Sequence, residues 1–411
     1  MSASADTNLV GPGGGLRLLR VIDAGASASV HLAEVVASPG RRVAAKRFAT
    51  AALCGPGAGQ LAFARVVGVA QREFSALAAL EHAHVLRTLP PPLGLFMEDR
   101  EGSPFHNDIF LVTELAEGGS AKARMEAAGA AGGGVDGGAV AAPTDAPEAQ
   151  TEKPPTEPLS ARLVAWTARD LVHALAYLHL RPGGDARQHG DVKPGNVLYS
   201  ADGRALLADF SSSRLAVRIA SDSSSCSPLT GATPAFAAPE TLLDTDAASP
   251  AGDVWSLGAT LLCLLTGHEL AEAADVRRSL QSAAEPLWTL ERHVARTLEL
   301  PLMGGKRKAL PHAGLSDAER ARWEAAPEGL RAFVKRCLVV DADARPTAAE
   351  LCSDDFIATV EAVYSPREAT PAPVGAAAAE LEGRDITPAR AVALMREYPD
   401  DPDVVLAAAR G

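Results

Sequence analysis

His189-Gly190-Asp191-Val192-Lys193-Pro194-Gly195-Asn196 sets an aspartate, a lysine two residues on and an asparagine five residues on within one short stretch. These are the parts that phosphoryl transfer requires. The aspartate accepts or orients the proton of an attacking hydroxyl, the lysine offsets charge on the phosphate, and the asparagine holds a magnesium ion. Such transfer needs little covalent help from the protein, so catalysis is mostly positioning and electrostatics. Upstream, Leu163, Trp166, Leu171, Ala174, Leu175 and Leu178 form one apolar face. This spacing predicts a helix from about Leu159-Ser160 to His179 that delivers the chain into the loop, with His173 and His179 in structural roles.

Downstream, Val197-Leu198-Tyr199 and Ala205-Leu206-Leu207-Ala208 flank Asp202-Gly203 and predict a hairpin. It leads to Asp209-Phe210-Ser211, where an aspartate at the end of a buried strand suits a magnesium ligand. A serine-rich segment then runs to Thr233-Pro234-Ala235-Phe236-Ala237-Ala238-Pro239-Glu240. Asp253-Val254-Trp255-Ser256-Leu257-Gly258 opens a strongly apolar helix closed by Thr266-Gly267. Towards the N-terminus, Leu16–Ile22 and Val30–Val36 read as two strands joined by small residues, and Val43-Ala44-Ala45-Lys46 as a short third strand. Glu73, followed by Leu77, Leu80, His82 and Val85, predicts an amphipathic helix with Glu73 at its N-terminal edge. Ile109–Gly119 reads as a buried strand entering a glycine-loosened connector.

Taken together, these stretches resemble the protein kinase family, serine/threonine class. The matches run in order from about Leu18 to Phe356 and include Cys337-Leu338, Asp341 and Arg345-Pro346-Thr347. The resemblance implies an α+β, two-lobed fold: a small β-rich N-lobe over 16–116 and a larger, mainly helical C-lobe over 117–358. It implies ATP and Mg²⁺ as cofactors and proteins with Ser/Thr acceptors as substrates. Asp191, Lys193 and Thr233 would be catalytic, and Asn196 and Asp209 would hold the metal. Ile22, Gly25, Val30, Ala44, Lys46, Glu73, Glu114 and Ala116 would bind the nucleotide, Lys46 being fixed by Glu73 and Thr113 standing beside the adenine pocket. Asp253 would anchor the backbone of the catalytic loop, and Arg345 would pair with Glu240 in the interior.

The chain also departs from the family pattern. Of three loop glycines only Gly25 remains, with Asp23 and Ala28 in the other places; Ser211 stands for a glycine. Gly190 stands where many kinases carry an arginine that reads a phosphate, so activity is expected not to depend on that switch. Gly195 and Ser120 replace carboxylates of basophilic kinases, which argues against a strong preference for arginine before the acceptor. Two other readings stay open: a pseudokinase acting as a nucleotide-binding scaffold, and a small-molecule phosphotransferase, a class that shares the loop but lacks Ala-Pro-Glu.

Composition bounds the rest. The 411 residues are 47% hydrophobic with only 4% aromatic, and the net charge of −12 argues against nucleic acid or acidic membranes as partners. Five scattered cysteines show no paired metal spacing and read as reduced thiols. No secretory signal, no glycosylation sequon and no apolar run of the roughly 18–20 residues a span needs is present in the sequence. The expected location is therefore the cytoplasm, with access to the nucleus left open. Residues 1–15 are expected to be a disordered leader, 121–158 a low-complexity insertion, and 359–411 a linker and short helical tail. A regulatory partner would act through the insertion or the tail.

Overall fold

Six antiparallel strands build the N-terminal sheet: Leu9–Val10 (β1), Leu16–Ala24 (β2), Ser29–Val35 (β3), Arg42–Phe48 (β4), Leu95–Met97 (β5) and Ile109–Glu114 (β6), in the order β1-β2-β3-β4-β6-β5. The strand carrying Lys46 is thus central. The computed structural model describes residues 8–25, 28–50, 53, 60–132, 157–181, 187–215, 233, 235–243, 249–269 and 315–363. One sheet face buries Leu16, Leu18, Ala33, Val35, Val43, Ala45, Phe110 and Val112 as a separate core. Helix α1, Gln60–Ala78, covers the other face.

Two expectations need correction here. Glu73 lies in the C-terminal half of α1, because the face packed on the core begins upstream at Val66 and Ala70 and continues through Leu77. Leu80 and Val85 are buried in the connection after the helix. The leader also contributes to the fold from residue 9: β1 pairs with β2, Val10 is fully buried, and Gly11 N donates to Glu98 Oε2 at 2.8 Å. Burial of Val10 against the sheet outweighs the flexibility of its glycine-rich surroundings.

The remainder is mainly helical. Its described helices are Ala121–Gly132 (α2), Ala161–His179 (α3), Pro239–Leu243 (α4), Pro250–Thr266 (α5), Asp317–Ala325 (α6), Glu328–Cys337 (α7), Ala348–Cys352 (α8) and Asp355–Val363 (α9). Short strands accompany them: Arg187–Gln188 (β7) with Arg214–Leu215 (β10), and Val197–Tyr199 (β8) with Ala205–Leu207 (β9). Helix α2 corrects the reading of the first part of 121–158, while 133–156 lie outside the described residues. Ala121 and Met125 are buried in the core, which stabilises a helix in a stretch without periodicity of its own, and Glu157 N donates to Met125 O at 2.9 Å where the chain returns. The serine-rich stretch from Ser221 to Ser227 and the tail helices expected after Thr387 lie outside the described residues.

Helix α3 starts at Ser160, whose side chain accepts from Leu163 N, as its N-cap chemistry dictates. Helix α5 is buried from Gly252 to Thr266 and ends at Gly267, which has φ of 80°. Gly258 lets α7 approach: a Cβ there would meet Cys337 Cβ at 2.6 Å and Leu338 Cγ at 2.9 Å. Gly258→Ala is therefore expected to destabilise the fold by about 1–3 kcal/mol, read by urea unfolding. A wild-type midpoint would refute the close approach. Among the described residues no helix is long and apolar enough to cross a membrane.

Candidate active site

Strand alternation sets one half of the site. Val43 and Ala45 point into the separate sheet core, so Ala44 and Lys46 face the other way. Register places Val30 opposite Lys46, and Thr113 opposite Ala44, so all four share one face. Ile22 is exposed where the β2–β3 register slips between Val21 and Asp23, and Gly25 N donates to Ala28 O at 2.9 Å across the turn. At the end of β6, Glu114 N donates to Arg87 O at 2.9 Å, and Ala116 packs with Leu86, Leu206 and Ala208.

Lys46 joins three segments. Its Nζ donates to both carboxylate oxygens of Glu73, at 2.7 and 2.9 Å, and to Asp209 Oδ1 at 3.1 Å. Burial opposes the charged form of Lys46, yet the two carboxylates overcome it and raise its pKa. Burial acts against Asp209 too, but the Lys46 charge and a hydrogen bond from Ser211 lower its pKa to about 2. One ammonium is shared between two carboxylates, of which only Glu73 is fully buried. The excess falls on Glu73, 2% exposed, which burial pushes up to about 7 despite the attraction of Lys46.

This shift has a signed consequence. Folded Glu73 holds its proton above its ordinary value of 4.5, so its contribution to stability is full below that pH and is lost as pH rises through about 7. Between pH 5 and 7.5 the melting temperature of the wild type is expected to fall relative to that of Glu73→Gln. Parallel melting curves would count against the shift.

The loop supplies the other half. Lys193 Nζ bridges Asp191 Oδ2 at 2.6 Å and Thr233 Oγ1 at 2.7 Å, and Thr233 N donates to Asp191 Oδ1 at 2.9 Å. Asn196 Nδ2 donates to Asp191 O and Oδ2 at 2.8 and 3.1 Å, which leaves its Oδ1 as an acceptor. Asn196 Oδ1 and the ionised Asp209 are hard oxygen donors and fit a magnesium-type ion, which takes few protein ligands beside phosphate and water. Phe210, 1% exposed, packs edge-on against His189 with ring centroids 4.8 Å apart.

Asp253 holds this loop from below. It accepts from His189 N at 2.7 Å, Gly190 N at 2.8 Å and His179 Nε2 at 2.9 Å. Burial alone would raise its pKa; the His179 hydrogen bond and charge outweigh that and lower it. Gly190 has φ of 83°, and a Cβ there would meet Ser212 O at 3.0 Å, so a side chain at this position is strained. Arg345 pairs with Glu240 through both guanidinium arms, at 2.8 and 3.2 Å. Every sequence-derived site residue named above lies among the described residues; these bonds tie Lys46, Glu73 and Asp209 into one group and Asp191, Lys193, Asn196 and Thr233 into another. Sequence reasoning passed over His84, Arg169 and Asp170; a buried aspartate on the apolar face of α3 was the available signal.

A family model described as the protein kinase domain matches residues 19–357. The chain belongs to the protein kinase family. Its kinase domain is 31% identical over 286 residues to CBL-interacting protein kinase 4 of Oryza sativa subsp. japonica, covering 69% of this chain and 51% of that protein. It is 38% identical over 136 residues to the serine/threonine-protein kinase PknK of Mycobacterium bovis, 32% of this chain and 10% of the relative. The human serine/threonine-protein kinase TAO3 is 30% identical over 203 residues, 49% of this chain and 18% of the relative. The chain thus spans about a tenth of the length of the mycobacterial relative and about half that of the rice one. Its curled antiparallel sheet and helical C-terminal part agree with the two-lobed α+β reading, and use of ATP with a divalent metal is general in this family.

Proposed function

We propose that the chain is an active serine/threonine protein kinase that transfers the γ-phosphate of Mg-ATP to Ser and Thr hydroxyls of protein substrates. The observation that carries this reading is the closed set Asp191–Lys193–Thr233, with an acceptor carboxylate and a cation 2.6 Å apart. Asp191 would orient and receive the hydroxyl proton, and Lys193 would offset charge developing on the transferred group. Thr233 would fix Lys193 beside the acceptor. Lys46, held by Glu73, would position the α- and β-phosphates. Asn196 and Asp209 would hold the metal ion, which supplies charge neutralisation at the phosphates when bound. The Glu114 carbonyl and the Ala116 N–H would meet the adenine edge, with Ile22, Gly25, Val30 and Ala44 lining the nucleotide.

A nucleotide-binding scaffold is the second reading. It is favoured by the lid between β2 and β3, where Asp23 and Ala28 stand in glycine positions and Asp23 would repel a polyphosphate. Transfer of labelled γ-phosphate from Mg-ATP to the chain and to generic acceptor proteins, followed by phosphoamino acid analysis, tests both. Phosphoserine and phosphothreonine are the expected products. Nucleotide binding without transfer would replace the kinase reading with the scaffold.

A further inference from the structure

Asp170, next to Arg169 on α3, and His84 both reach Ala205, the first residue of β9. Ala205 N donates to Asp170 Oδ2 at 2.9 Å, and Ala205 O lies 3.2 Å from His84 Nδ1. A carbonyl only accepts, so Nδ1 carries the hydrogen and His84 Nε2 offers a lone pair. Arg169 Nη1 donates to that Nε2 at 2.9 Å and to Asp170 Oδ1 at 3.0 Å. The ring closes on both backbone groups of one residue. Burial, then the Arg169 charge, lowers the pKa of His84 to about 4, so the imidazole is neutral near pH 7 and this tautomer persists.

The guanidinium is also held from outside. Glu361 Oε1 on α9 lies 3.6 Å from Arg169 Nε and 3.0 Å from His173 Nε2. Inward, Leu207 N donates to His84 O at 2.9 Å, and Ala208 N donates to Asn196 O at 2.9 Å. β9 ends two residues before Asp209, and its partner β8 begins directly after Asn196. The register of this hairpin therefore sets where both oxygen donors stand.

We propose that Arg169 is a positioning residue for phosphoryl transfer: seated by Glu361, it locks His84 and Asp170 onto Ala205 and so fixes the hairpin that carries Asn196 and Asp209. The effect on transfer rests on the kinase reading above, whereas the clamp itself does not. With Arg169 removed, Asp170 loses its cation and His84 its donor, and the Ala205 bonds loosen. Partners that orient metal ligands typically change affinity or activity by roughly 10–100-fold when lost.

The test compares full-length Arg169→Leu, Glu361→Ala and Val360→Ala. Val360 packs against Trp166 and loosens α9 without touching the clamp. Glu361 is 43% exposed at its side chain, so Glu361→Ala folds even where Arg169→Leu does not. Amide exchange at Ala205 in nucleotide-free protein is expected to accelerate at least roughly tenfold in Arg169→Leu, and less in Glu361→Ala, beyond any change in Val360→Ala. Mg-ATP affinity should fall by roughly tenfold in Arg169→Leu, while Arg169→Lys recovers only part because one ammonium lacks the fork. Exchange and affinity that merely track melting temperature across all variants would overturn the proposal. Faster exchange in a wild-type background that transfers no phosphate would leave the clamp standing and sink only the kinase reading.

Discussion

Asp191→Asn is expected to lower kcat for phosphate transfer by roughly 10²–10⁴-fold with little change in KM for ATP. The substitution is isosteric, so the loop keeps its shape, but an amide takes up no proton from an attacking hydroxyl. It also mismatches its neighbours. Oδ1 of Asp191 receives the Thr233 N–H, and Oδ2 receives Lys193 and Asn196 Nδ2. Whichever way the amide turns, its NH₂ meets a donor, and Lys193 or Thr233 loses an acceptor. Initial rates over a range of ATP concentrations, with phosphopeptide mapping of the products, give the split between kcat and KM. A variant within tenfold of wild-type kcat would remove Asp191 from proton acceptance.

Arg345→Ala is expected to cost about 3–5 kcal/mol of stability, because it strands Glu240 in a largely buried pocket. The Arg345 side chain is fully buried, and beyond Glu240 it donates to the carbonyls of Val339, Val340 and Ala251. It also lies 5.3 Å from the centre of the Trp255 ring on α5. Its loss therefore unties α4 from α5 and from the segment after α7. Urea unfolding measures the cost, and the double variant Arg345→Ala/Glu240→Ala should recover part of it, since no carboxylate is then stranded. A loss below about 1 kcal/mol would show that solvent reaches Glu240 in place of Arg345.

Much of this architecture was legible through ordered motifs that resemble the protein kinase family, several of which set charged residues inside apolar patterns where burial without a partner is costly. That resemblance paired Lys46 with Glu73 and Arg345 with Glu240, and both ion pairs form. Asp253 at the mouth of an apolar helix was read as an anchor and accepts three donors. What escaped was set by packing between distant segments. The apolar stripe after Glu73 set that residue at a helix edge, although Val66 and Ala70 upstream also pack on the core. Helix α2 has no apolar period to betray it, and β1 has two residues, too few for alternation to appear. His84 and Asp170 were silent because their common partner is a main-chain unit, which no side-chain pattern reports.

The hydrogen bond from Glu157 N to Met125 O has a consequence for how this chain tolerates change. It brings the two ends of the 133–156 segment back to one helix, so closure of that segment is enforced by the domain whatever its length. Doubling such a segment costs only about 0.6 kcal/mol of closure entropy. Insertions, deletions and whole added modules can therefore accumulate between Gly132 and Glu157 at almost no expense to the domain beneath.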